Sequence, residues 1–208
     1  MLISPEQFMG FLGAAVLITI SPGPDNLMVL SVGMTRGRLR GMAFGIGCAL
    51  GCLSHTLLAT LGVGALIKAS PLAFGALKVL GGAYLIWLGI GALRSRGGAR
   101  VEGALPDESL GKLFAKGLFA NMINPKVVLF FLSFLPQFVV AERGDAGWQT
   151  AQLGVLFTLQ AVVLFSTLGY FSGAVGAWVN RTPAAGKWMD RIAGAIFVGL
   201  GLRLIVAR

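Results

Sequence analysis

Six times along this chain an apolar stretch runs for about 20 residues or more, the length a helix needs to cross the hydrocarbon of a bilayer. The stretches cover roughly residues 7–35, 41–67, 71–93, 117–141, 147–178 and 183–206. Interior ionisable groups are few: Asp25 in the first, His55 in the second, Lys78 in the third and Lys126 in the fourth. The sixth has the shortest uncharged heart, and its Lys187, Asp190 and Arg191 must sit at an interface, where long basic side chains snorkel. Apolar types make up 56% of the chain and charged types 12%. A soluble domain of this size could not bury so much apolar surface. These features argue against a soluble enzyme and a disordered chain. They predict an all-α integral membrane protein of six transmembrane helices.

The net charge is +9, from 17 Lys and Arg against 8 Asp and Glu. In a soluble protein this would suggest nucleic acid. Here the basic residues cluster in short connections, so they set orientation instead, and no nucleic-acid partner is expected. One set of connections holds Arg36, Arg38, Arg40, Arg94, Arg96, Arg100, Lys112, Lys116, Arg181, Lys187 and Arg191. The other holds Lys68, Arg143, Arg203 and Arg208. Basic loops stay in the cytoplasm, which predicts a multi-pass membrane protein with both termini outside. It also predicts a cytoplasmic connector over 94–115, with Gly97-Gly98 and Pro106, joining three-span halves at 1–93 and 116–208. The N-terminal MLISPEQF lacks the basic segment of a cleavable signal. It reads instead as a helix start, with Ser4 as cap, Pro5 in the first turn and Gln7 closing a capping box. Ser70-Pro71 and Thr182-Pro183 repeat the cap-and-proline pattern.

Two spans carry their own interruption. In the first, Ser21-Pro22-Gly23-Pro24-Asp25-Asn26 removes two backbone donors and adds a permissive glycine. The freed carbonyls need partners that lipid cannot supply. Pro24, Asp25 and Asn26 read as the first turn of a restarted half-helix whose amide end faces the break. In the fourth, Asn121-Met122-Ile123-Asn124-Pro125-Lys126 breaks the span, with Asn124 as cap and Pro125 first in the restarted helix. Each broken span opens a three-span half. Three is odd, so the second half must be upside down relative to the first. That predicts two inverted three-helix repeats, with discontinuous helices 1 and 4, as in transporters. Asp25 and Lys126 fall at similar depth, slightly cytoplasmic of the midplane. A lipid-facing charge at a helix centre costs ~2.5–3.5 kcal/mol. They therefore form a structural salt bridge or line a transport site, and the two readings can coexist.

The other polar groups in the spans have plainer readings. A lone histidine such as His55 is commonly a satisfied core group, with proton handling as the alternative. Lys78 either snorkels or serves the pathway. Gln160 bonds a neighbouring helix. Gly41, Gly45, Gly47, Gly51, Gly81, Gly82 and Gly89 stand at helical spacings that admit close packing, and such faces permit a homodimer without requiring one. Cys48 and Cys52 are four apart on one helix face, read as small packing residues; no cysteine–histidine cluster makes a metal site.

SPGPDNL in the first span, LKVLGGAYLIWLG in the third and KGLFANMINPKVVLFFLSFLPQF in the fourth resemble the LysE/RhtB family of amino-acid exporters. The similarity extends over nearly the whole chain; the sixth span is its least characteristic part. The motif positions are Pro22, Gly23, Pro24, Asp25 and Asn26, then Lys78, Gly82 and Tyr84, then Asn124, Pro125, Lys126 and Pro136. The resemblance implies secondary active export of amino acids or their derivatives across the bacterial inner membrane, generally by proton antiport, with no cofactor. An amino acid is a zwitterion. Its carboxylate suits Lys126 and the amides of a half-helix, and its ammonium suits Asp25 and unwound carbonyls. Protonation of Asp25 would weaken the second contact; His55 and Lys78 are further candidates for the proton pathway.

The main alternative is a cation or metal exporter on a related inverted-repeat fold. It would need more intramembrane carboxylates, cysteines or histidines than this chain has. An intramembrane enzyme lacks an acid–base set, and a scaffold leaves both breaks unexplained.

Overall fold

The computed structural model describes residues 3–95 and 108–206, and those residues form helices and short connections with no strand. Helix α1 (Pro5–Ile20) starts as its sequence requires: Ser4 Oγ accepts from Gln7 N at 3.2 Å and Gln7 Oε1 accepts from Ser4 N at 2.8 Å. It stops at Ser21, whose ψ of 128° is extended, because neither Pro22 nor Pro24 can donate to the turn before it. Helix α2 (Pro24–Arg36) leaves at 55° to α1. Gly37, at φ 92°, then turns the chain into α3 (Arg38–Ala69). Helix α4 (Pro71–Arg94) follows.

Helix α5 (Leu110–Met122), capped by Ser109, begins inside the stretch expected to be connector. The remainder of that connector, including Gly97-Gly98 and Pro106, lies outside the described residues. Helix α6 (Pro125–Leu129) starts on Asn124 and continues as a π turn over Phe130–Phe134 and a 3₁₀ turn over Leu135–Phe138. This run is bent 49° from α5. Helix α7 (Ala146–Tyr170), capped by Asp145, is followed by α8 (Ser172–Arg181) and α9 (Pro183–Val206).

The fifth span was expected to be continuous to 178, but the chain turns at Phe171. Thr167 O accepts from Phe171 N to close α7, and Ser172 Oγ donates to Gly169 O at 2.8 Å. Ser172 occupies the notch that Gly33 of α2 leaves by having no side chain. Among the described residues, three helical stretches have the length and apolar composition to cross a membrane: Arg38–Gly62, Gly75–Arg94 and Ala146–Tyr170. Counting each bent pair as one span makes five. Helix α9 is long enough but carries Lys187, Asp190, Arg191 and Arg203, so it stands outside that set.

Helix α3 is the centre of the molecule, packed against α2, α5 and α7, while α4 pairs with α9. Small residues decide both seams. A methyl group on Gly117 would strike Phe44 O, and one on Gly47 would strike Phe114 O, so α3 and α5 meet backbone to backbone. Between α4 and α9, a Cβ on Gly82 would lie 2.8 Å from Gly201 O and one on Gly89 2.7 Å from Gly194 O. The two pairs are seven residues apart on each helix and run in opposite order. A close antiparallel pair therefore repeats its contact every two turns.

A phenylalanine cluster fills the core above the breaks. Phe130 and Phe134 stack with centroids 5.2 Å apart, Phe138 is tilted against Phe134 at 5.5 Å, and Phe11 meets Phe138 edge-on at 5.4 Å. Beyond it Gln7 Nε2 donates to Phe138 O at 2.7 Å, and Gln149 exchanges two hydrogen bonds with the Val140 backbone. The opposite end is basic and is gathered around Glu108, which accepts from Arg36, Lys112 and Lys116.

Candidate functional site between the two breaks

Each break exposes carbonyls, and side chains take them up. In the first, Thr19 O accepts from Asn26 Nδ2 at 2.8 Å, and Ser21 O accepts from Lys126 Nζ at 2.8 Å. The lysine is 6% exposed and reaches across from α6 because Asn124 Oδ1 caps Lys126 N and fixes the restarted helix. Gly23 leaves room for the ammonium: a Cβ there would sit 3.2 Å from Nζ. The Phe197 ring of α9 lies 5.2 Å from Nζ and offers its electron-rich face.

The second break is completed from the first. Asp25, 5% exposed at the start of α2, accepts from Asn121 Nδ2 at 2.7 Å through Oδ2. Asn121 Oδ1 accepts from the Cys52 thiol at 3.4 Å, and Asn121 O lies 3.0 Å from His55 Nε2. Gly51 of α3 admits the asparagine, since a Cβ there would come within 2.8 Å of Asn121 Cβ. Each interruption thus has a charged residue held by the other. Asp25 and Lys126 do not form a direct ion pair with each other.

Both groups line one cavity. Its polar wall is Thr19, Asp25, Asn26, Cys52, Asn121 and Lys126; its apolar wall is Ile18, Val127, Phe130, Phe157 and Phe165. It leaves about 20 Å³ for the centres of water molecules. That is room for a water or so, far short of an amino acid. The conformation is a contracted one.

Of the residues singled out in the sequence, Asp25, Asn26 and Lys126 stand on the wall, and Pro22 and Gly23 shape the break beside it. Pro24 and Pro125 begin α2 and α6, and Asn124 is buried as the cap of α6. His55 is buried behind Asn121, with its ring 5.7 Å from that of Phe131. Lys78 lies on α4, half-buried and off the cavity wall. Gln160 does bond a neighbouring helix, donating to Thr19 Oγ1 at 2.8 Å. Sequence reasoning missed Asn121, Thr19 and Cys52 as parts of the site. The one signal was that Asn121 falls in an interruption, where polar groups must be satisfied inside the protein. Among the described residues no three histidines, cysteines or carboxylates are grouped as metal ligands.

The sequence model of the LysE type translocator family matches residues 15–208. An uncharacterised membrane protein of Pseudomonas aeruginosa is 33% identical over 206 residues, covering 97% of this chain and 95% of its own. A homoserine/homoserine lactone efflux protein of Salmonella typhimurium is 30% identical, covering 98% of both chains. A leucine efflux protein of an Enterobacter species is 32% identical, covering 95% of this chain and 94% of its own. No solved structure matches the chain. With apolar spans, two breaks and end-to-end relatives of this kind, the chain belongs to the LysE-type translocators and is a multi-pass membrane transporter, not an enzyme.

Proposed function

We propose that this protein exports amino acids or their derivatives from the bacterial cytoplasm in exchange for protons. The observation that carries the reading is the cavity between the breaks, where a buried carboxylate and a buried ammonium share a wall without pairing. Opposite charges left apart inside lipid suit a solute that carries both. The substrate carboxylate would take Lys126 Nζ from Ser21 O, and its ammonium would meet Asp25 and the Thr19 carbonyl. The contracted cavity must widen to admit it, as alternating access requires. Protonation of Asp25 would remove the ammonium's counter-charge and release it outward. His55 and Lys78 are the further candidates for handling the proton.

The architecture that supports this cycle is six spans in two inverted three-helix repeats, 1–93 and 116–208, with both termini periplasmic and α9 as the sixth span. The cross-completion of the two breaks favours it, because an inverted pair places equivalent half-helices face to face. Relatives named for homoserine and for leucine efflux support amino acids over metal ions as cargo.

The test is efflux of labelled amino acids, homoserine and leucine included, from loaded vesicles with an imposed pH gradient. Wild-type protein should respond to the gradient for some members of the panel. Asp25→Asn should retain counterflow, with weakened affinity, and lose the gradient response. A flat response across the panel overturns the exporter, and proton-driven transport at wild-type rate in Asp25→Asn overturns the coupling.

A further inference from the structure

Asn121 joins the two titratable groups of the site, and the chemistry of its partners fixes which way every proton points. The amide turns Nδ2 to Asp25 and donates to its Oδ2. The other end then offers Oδ1 to the Cys52 thiol, which donates. A backbone carbonyl only accepts, so His55 Nε2 carries its hydrogen and donates to Asn121 O. His55 Nδ1 is left as a bare acceptor, buried, with no hydrogen-bond partner among the described residues. His55 itself is 2% exposed and Asn121 1%.

We propose that Asn121 is a positioning residue of the transport cycle: its side-chain amide donates to the Asp25 carboxylate and aims it into the cavity, and its main-chain carbonyl holds His55 as the Nε2–H tautomer with Nδ1 open to a second proton. This rests on the exporter reading and extends it by naming the residue that contacts both titratable groups. Asp25 faces Lys126 of α6 across the cavity, Cys48, Cys52 and His55 of α3, and Asn121 of α5; α1 and α7 present only the uncharged Thr19, Gln160 and phenylalanines there. The ring of His55 faces Asn121 and Phe131, and Asp25 is the charge whose field reaches it. A proton on Nδ1 therefore favours the charged form of Asp25, and a proton on Asp25 opposes one on Nδ1. Asn121 lies in the last turn of α5, so the same residue feels both events and sits beside the bend between α5 and α6.

The experiment needs no amino acid, because the probe is the proton. His55 is the single histidine of the chain, so its nitrogen-15 resonances need no assignment. The carboxyl infrared band that Asp25→Asn removes reports Asp25. In reconstituted wild-type protein at neutral pH, His55 should give the Nε2–H tautomer. Asn121→Leu, close in size but without a donor, should raise the Asp25 midpoint by about one to two pH units, as expected for loss of one hydrogen bond to a charge. Asp25→Asn should displace the His55 midpoint downward. The opposite tautomer in wild type, or an unmoved Asp25 midpoint in Asn121→Leu that unfolds at the wild-type temperature, overturns the proposal. If Asn121→Leu fails to fold, the equally sized Asn121→Asp takes its place; it replaces the donor with an acceptor and should also raise the midpoint. A flat efflux panel with the shifted midpoints would sink the exporter alone, and normal efflux with unmoved midpoints would sink the role of Asn121 alone.

Discussion

Lys126 is held by a carbonyl and a gap beside Gly23, both in the first break, and by one ring of α9. Removing the charge leaves Ser21 O unpartnered, which costs about 1–3 kcal/mol, but also removes the burden of a desolvated ammonium. Lys126→Met is therefore expected to fold, with thermal unfolding within a few degrees of wild type. Its amino-acid efflux should fall by about 10–100-fold in kcat/KM, the worth of one charge-assisted bond to a carboxylate. Vesicle efflux measured beside thermal unfolding checks both halves of that expectation. Asp25 and Lys126 were legible in the sequence because a charge within an apolar run is costly wherever it points. Asn121 was not, because its partner lies 96 positions away and nothing local sets it apart from the other residues of the interruption.

At the level of helices, the breaks and the seams have different origins. Pro22, Pro24 and Pro125 lack a backbone donor, so both interruptions follow from covalent structure and appear where the sequence placed them. The turn at Phe171 has no proline. It depends on Ser172 settling against Gly33 of another helix, a contact that no local pattern announces. The glycine seams fall between these cases: helical spacing showed that a close approach was permitted, and only the packed helices show that α3 meets α5 and α4 meets α9. Gly117→Leu should push α3 from α5 and lower stability by about 1–3 kcal/mol or more. Gly91→Leu, on α4 with open space around it, should be tolerated. Recovery of monodisperse protein and its unfolding temperature in detergent separate the two.

At the scale of the whole molecule, Glu108 ties the start of α5 to the α2–α3 corner. Lys116, Arg36 and Lys112 hold the Glu108 carboxyl down at about 2, below its ordinary 4.5. A lowered carboxyl stabilises the fold above its unfolded value and loses that contribution as pH falls through the folded one. Wild-type protein should thus unfold at a higher temperature than Glu108→Gln at neutral pH. The margin should hold down to about pH 5, narrow between 4.5 and 2, and close below that. Unfolding temperatures of the two proteins along a pH series measure it.

Apolar length, proline chemistry and the bias of lysine and arginine are properties of neighbouring residues, and they were enough to give the membrane class, the interruptions and the basic end. Partner choice is a property of distance in space. Which carbonyl meets Lys126 and which amide meets Asp25 follow from segments brought together across 105 and 96 positions of chain, and which notch receives Ser172 follows from the packing of α8 on α2. Such contacts are fixed by packing against the rest of the molecule, and no local segment contains the information to choose them.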